Sequence, residues 1–165
     1  MAAEVPLFLN VTVSLPSSLF TKVRRYTLAD ALNTTPEMIV EVFGTDPDVD
    51  MADLLGQPAT VELGEPTVPR FDGIVRHVEQ RPLDLGGVSV FALTIVPRPW
   101  LLHERAGHRI FQNRDALGIA GDVLAPYGEA MDRPEGAILQ HVLPRYEYRV
   151  QCGETDHDFL FRVLS

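Results

Sequence analysis

The residues nearest to a catalytic signature are His103-Glu104-Arg105-Ala106-Gly107-His108, two imidazoles flanking a carboxylate. In a zinc hydrolase of this kind the histidines stand four apart, so that one helix face presents both nitrogens to the metal and the glutamate acts as base. Here they stand five apart, which turns the second imidazole roughly 140° around a helix from the first. Gly107 also interrupts the segment, and the spacing argues against zinc. Cys152 and His157 are the ingredients of a thiol nucleophile and its base. Their surroundings put the cysteine in a strand and the histidine in the first turn of a helix, so the pair reads as a buried small residue and a solvated imidazole. Asp46-Pro47-Asp48-Val49-Asp50 has the alternating acids that open a calcium loop, but Met51 and Gln57 stand where the loop needs glycine and a bidentate glutamate. Gly86-Gly87 and Gly118 to Gly121 lack the lysine and spacing of a phosphate loop. No catalytic, cofactor-binding or metal-ligating residue is therefore expected, and Trp100 with its leucines reads as core or subunit interface rather than a ligand pocket.

Composition narrows the remaining classes. The chain has 165 residues, 45% of them hydrophobic and 22% charged, enough to bury one good core or two small ones. Its formal net charge of -9, with Lys22 the sole lysine, opposes binding to nucleic acid, which needs clustered basic residues. A single cysteine excludes an internal disulfide or a cysteine metal site. No apolar run reaches the roughly 20 residues needed to cross a bilayer, and no signal peptide is recognisable.

The elements that must position these residues change character near Trp100. Before it, alternating or β-rich segments at Pro6 to Val13, Val23 to Leu28, Glu37 to Phe43, Pro58 to Leu63, Arg70 to Gln80 and Val88 to Val96 are punctuated by glycine and proline. In Glu37 to Phe43, Met38, Val40 and Val42 oppose Ile39, Glu41 and Phe43; farther on, Ile74 and Val78 share a face with Val88, Val90 and Ala92. Asp50 should cap one helical turn, Met51 to Leu55, with Asp53 completing an acidic capping box and Gly56 ending the turn. Gly64 to Pro69 and Gly86-Gly87 read as turns. After Trp100, Asp115 to Gly128 carries a helical stripe of Ala116, Ile119, Ala120, Val123 and Leu124. Strands follow at Gln140 to Leu143 and Tyr146 to Gln151, then a capping box at Thr155-Asp156-His157-Asp158 starts a helix with Phe159, Leu160, Val163 and Leu164 on its apolar side. The fold expected is mainly β with an α+β C-terminal part: a small antiparallel β-barrel over 1–100, then the beginning of an α/β domain over 101–165. A last helix that stops at its own apolar stripe leads us to expect the front portion of a longer protein.

Five ordered motifs carry a resemblance. Asp46 to Val61 resembles the alternating acids, leucine pair, Gly-Gln-Pro and strand of the VgrG spike family. Phe71-Asp72-Gly73-Ile74-Val75, Pro97-Arg98-Pro99-Trp100-Leu101-Leu102, Arg109-Ile110-Phe111-Gln112-Asn113 and Tyr148 to Leu164 are similar to its later landmarks, in the same order. Cys152 stands where the family usually has an aromatic residue, and Asn33-Thr34-Thr35-Pro36 replaces its Ser-Arg-Pro-Phe wording.

The resemblance implies a structural role. VgrG proteins are trimeric spikes of the type VI secretion system, similar to contractile-phage baseplate hubs, whose two barrels per subunit make a pseudo-sixfold ring matching the hexameric tube protein. It implies a hub barrel of phage-baseplate type in a homotrimer. The partners would be the tube ring and effector or tip proteins, with no nucleic acid, no stable membrane insertion and no cofactor. Synthesis in the bacterial cytoplasm would precede secretion by the machine. Trp100, Leu101, Ile110 and Phe111 are the candidate interface or core residues. A β-rich module for an unknown ligand and a hydrolase are the alternatives.

Overall fold

The computed structural model describes residues 11–14, 20–32, 34–44, 48–63, 70–81, 89–128 and 143–165. The expected turns at Gly64 to Pro69 and Gly86-Gly87, most of the strands at Pro6 to Val13 and Gln140 to Leu143, and Asp46 of the acidic run lie outside the described residues. Contacts divide the chain into two compact units, Met1–Arg98 and Pro99–Ser165.

In the first unit β1 (Val11–Ser14), β2 (Phe20–Ala29), β3 (Glu37–Gly44), β4 (Pro58–Leu63), β5 (Arg70–Arg81) and β6 (Ser89–Val96) form one sheet, ordered β1-β4-β5-β6-β3-β2. Every neighbouring pair is antiparallel. Cα atoms of the edge strands β1 and β2 approach within 8 Å, so the sheet curls into a barrel-like shell with one seam. Among the described residues no ladder closes that seam. The expected antiparallel barrel architecture is thus observed.

Its interior is filled by Met38, Val40 and Val42 of β3, Ala59 and Val61 of β4, Val75 of β5, and Phe91, Leu93 and Ile95 of β6. Each of these side chains larger than alanine contributes about 1.5–3 kcal/mol by leaving water. Gly44 leaves room for Phe91, whose ring would lie 2.4 Å from a Cβ built there. β3 follows the two-residue alternation expected for it, although its outward Glu41 is buried.

β5 and β6 depart from the expected face. Val75 pairs with Ile95 and Val78 with Leu93, because a bulge at Arg76 inserts one residue between them and shifts the alternation. The core face therefore carries Val75 and Val78 opposite Leu93 and Ile95, rather than Ile74 and Val78 with Val90 and Ala92. β6 is also buried on both faces, not half-buried. The short 3₁₀ turn Met51–Leu54 is capped by Asp50, whose carboxylate accepts from Ala52 N–H at 2.9 Å. The cap thus engages the second amide of the turn, not the amide of Asp53 as the capping-box reading required, and Gly56 follows at φ 75°.

The second unit takes up the 3₁₀ helix Arg98–His103 from Pro99 and continues as β7 (Ala106–Arg114), α1 (Ala116–Leu124), β8 (Tyr146–Thr155) and α2 (Asp156–Leu164). β7 and β8 make a separate two-stranded antiparallel sheet. Asp115 caps α1 by accepting from Gly118 N–H at 2.7 Å; Thr155 caps α2 by accepting from Asp158 N–H at 3.0 Å. The core is Leu102, Phe111, Ile119, Ala120, Val123, Phe159, Leu160 and Val163, with Phe111 stacked on Phe159 at 5.3 Å. Leu164, expected on the apolar side of α2, is half exposed, since its position in the last turn lies past the packed stripe.

Candidate functional site

The β7–β8 ladder has two faces of opposite chemistry. Arg109 pairs with Gln151 and Phe111 with Arg149 on the inner face; on the outer face Ile110 pairs with Val150, Gln112 with Tyr148 and His108 with Cys152. The register shifts once, between Gly107 and His108, where Gly153 is the extra residue. Gly153 has φ 70°, a left-handed conformation that side chains resist, so glycine sets this bulge.

Behind the inner face lies a polar node centred on Asp156, the first residue of α2, which is wholly buried. Its Oδ1 accepts hydrogen bonds from Arg109 Nη2 and, at 2.8 Å, from Gln151 Nε2, while Oδ2 accepts from Tyr127 Oη at 2.8 Å. Arg109 Nε also donates to Gln151 Oε1 at 2.8 Å, and the Asp156 N–H donates to the Arg105 carbonyl at 2.9 Å. Burial pushes the Asp156 carboxyl up, but donation from Gln151, Tyr127 and Arg109 outweighs it and leaves the group below its ordinary range. Burial and the neighbouring carboxylate push the Tyr127 hydroxyl up to about 12. The node ties β7, β8, α2 and the turn after α1 together, and its polar atoms are occupied by one another. That arrangement fixes geometry.

The outer face is open to solvent and carries an apolar cluster beside His108, Gln112 and Cys152. Ile110 is 67% exposed, Tyr148 64% and Val150 41%. The directly paired Ile110 and Val150 with adjacent Tyr148 form a surface of the kind that marks protein contact. The four residues singled out from sequence divide accordingly. Phe111 lies in the core, Ile110 on the exposed face, and Trp100 and Leu101 are half-buried on the 3₁₀ helix.

The histidines and the cysteine are placed differently from each other. His103 closes the 3₁₀ helix and His108 lies on β7. His157 is not simply solvated: its ring lies tilted against His103 at 3.8 Å and against Phe161 at 4.5 Å. Burial and the adjacent His157 lower the affinity of His103 for a proton. Cys152 is exposed rather than buried, because the alternation that buries Gln151 turns the next side chain outward. Among the described residues no group of three or more His, Cys, Asp or Glu side chains could hold a metal ion, and no helix is long and apolar enough to cross a membrane.

The sequence places Asp156 only within the capping-box segment Thr155 to Asp158 and does not reveal the node. A signal was present: Arg109 and Gln151 occupy positions in phase with buried Phe111, and a charge on a buried face needs a buried partner.

The barrel-like sheet followed by a two-stranded sheet backed by two helices is the fold of tail hub proteins. A solved E. coli protein, c3393, described as a component of the type VI secretion system with structural similarity to T4 bacteriophage tail proteins gp27 and gp5, matches with a TM-score of 0.76. It is 18% identical, and the match covers 93% of this chain and 42% of that one. The tail protein of Neisseria meningitidis MC58 matches with a TM-score of 0.61 at 16% identity, over 94% of this chain and 44% of its own.

The chain belongs to the phage tail baseplate hub (GPD) family, which it matches over residues 29–165. It is 32% identical over 127 residues to the type VI secretion system spike protein VgrG1a of Pseudomonas aeruginosa, and 32% identical over 128 residues to VgrG1b of that organism. Those matches cover 73% and 76% of this chain but 18% and 17% of the relatives, so the chain spans less than a fifth of their length.

Proposed function

We propose that this chain is the N-terminal hub part of a VgrG-like spike, a structural component of a contractile injection machine. In this reading residues 1–100 form the first hub barrel and 101–165 open an α/β domain. Three copies assemble in the parent protein, seat on the hexameric tube ring and help deliver effectors. Its role is structural rather than enzymatic, as the hub and spike relatives suggest. The parent is made in the bacterial cytoplasm and leaves through the machine.

The family match over residues 29–165 carries the reading. The exposed Ile110, Val150 and Tyr148 ladder supports it, since an apolar sheet face is kept from aggregation when a neighbour covers it. The test is assembly of the parent protein with the hexameric tube-forming protein, followed by sedimentation and electron microscopy. A trimer capping the tube ring is expected. A monomer without affinity for the ring would overturn the proposal.

A further inference from the structure

On the outer face of the first unit, Glu41 is a buried carboxylate surrounded by arginines. Its side chain is 4% exposed, while those of Arg24, Arg25 and Arg81 are 46%, 65% and 37% exposed. One oxygen, Oε1, accepts from Arg25 Nη2 and from Arg81 Nη1, each at 2.6 Å, and Arg24 Nη1 lies 3.7 Å from Oε2. The two donor nitrogens of Arg25 and Arg81 are therefore no farther apart than twice their distance to that oxygen.

Three features of the sheet build this cluster. Val23 pairs with Val42 and Arg25 with Glu41, so Arg24 is the extra residue of a bulge. In a regular strand Arg24 and Arg25 would point to opposite faces; the bulge lets both reach Glu41 while Val23 and Tyr26 still pack on the core. On the other side of Glu41, the residue opposite on β6 is Ala92, whose small side chain leaves room for Arg81 to reach across from β5. The arginines and Glu41 line a cavity of about 290 Å³.

Like charges held this close repel, and one shared carboxylate oxygen offsets only part of two guanidinium charges. The Glu79 carboxylate is 3.7 Å from Arg81, on its other terminal nitrogen. Arg25 has no described acceptor besides Glu41, and most of its fork opens to solvent. A guanidinium presents five donors in a plane that matches a carboxylate edge. Arginines placed only to discourage pairing at a sheet edge would not need to converge on a buried acid.

We propose that Arg25 and Arg81, aligned by Glu41, form a carboxylate-binding notch that receives an aspartate or glutamate side chain of a partner protein. The occupant is a side chain rather than a free ion because a half-exposed guanidinium pair holds a lone carboxylate weakly. A tethered carboxylate gains from the contacts around it. The notch stands on geometry independent of the spike reading.

The test is an NMR titration of the 165-residue chain that follows the Arg Nε–Hε resonances. The probes are a tetraglutamate peptide, its tetraglutamine counterpart, sodium propionate and inorganic phosphate, with sodium chloride matching ionic strength. The glutamate peptide should shift Arg25 and Arg81 saturably, at least about tenfold more tightly than propionate or phosphate. Arg25→Gln and Arg81→Gln should each weaken it at least about fivefold, and the glutamine peptide should do nothing. If the Gln variants do not fold, Arg25→Lys with Arg81→Lys keeps the charge, removes the fork and should weaken binding similarly. Binding of propionate or phosphate as tight as that of the peptide would overturn the side-chain assignment. Shifts no larger than those from chloride, or binding unchanged in the variants, would overturn the notch.

Discussion

Replacing Asp156 isolates the polar node from the apolar packing around it. In the native unit its carboxylate accepts from Arg109, Gln151 and Tyr127, and all of this happens at a wholly buried side chain. Hydrogen bonds to a charged group contribute about 1.5–3 kcal/mol each when a partner is removed, but the losses overlap because Arg109 and Gln151 also bond to each other. Breaking a buried pair from one side costs about 3–5 kcal/mol. Asp156→Asn, which keeps the shape and one acceptor, should therefore lose about 3 kcal/mol, and Asp156→Ala about 4. Against a typical domain stability of about 5–15 kcal/mol either loss is large. The sole tryptophan, Trp100, belongs to the second unit, so denaturant unfolding followed by its fluorescence reads the affected part. The sign with pH is fixed as well. The carboxyl is held below its ordinary value of 3.8, so its contribution is present above that value and is lost as pH falls through the folded pKa. The Asn variant should lack this part of the acid limb. A loss below about 1 kcal/mol for both variants would refute the view that the node holds the unit together.

Tyr127→Phe removes one bond to the node and should cost about 1 kcal/mol at neutral pH. Because the Tyr127 hydroxyl is raised from 10.0 to about 12, its stabilising effect is complete below the unfolded value and is lost as pH rises through that interval. Urea midpoints at pH 9 and pH 11 should accordingly fall less steeply in the Phe variant than in the native chain. Ile110→Glu should change stability by less than about 0.5 kcal/mol, since the side chain is mostly exposed, yet it should prevent assembly of the parent protein, as read by sedimentation. Gly73→Ala should cost about 2 kcal/mol or more, because the new methyl would stand 2.3 Å from the Val96 carbonyl oxygen; calorimetry of the first unit checks it.

Much of the first unit was legible because half-buried strands write their alternation into the chain. β3 shows it plainly: Met38, Val40 and Val42 are all inside. The reading failed where geometry breaks the period. Nothing in Val75-Arg76-His77 announces that two residues occupy one place on the ladder, so Ile74, before the bulge, reads as sharing the face of Val78, whereas Val75 does. Helix caps were readable at Thr155, whose type and spacing suffice. The burial of Asp156 was not, because a carboxylate at a helix start is stabilised equally well in water, and only the long-range approach of Arg109 and Tyr127 separates the cases. Cys152 and Gln151 show the same limit at closer range: adjacent residues, opposite faces, and a phase set by Gly153.

The bulges at Arg24, Arg76 and Gly153 also decide where this chain can lose a residue. Deleting one residue from the regular part of a strand turns every following side chain over, core outward and surface inward. At Arg76 or Gly153 the strand already carries one residue more than its partner, so a deletion there restores a regular ladder and leaves the rest of the strand in place. At Arg24 the same deletion would heal β2 but leave Glu41 with one arginine fewer from that strand. Natural length differences between relatives, where they fall inside strands, should therefore gather at bulges such as these.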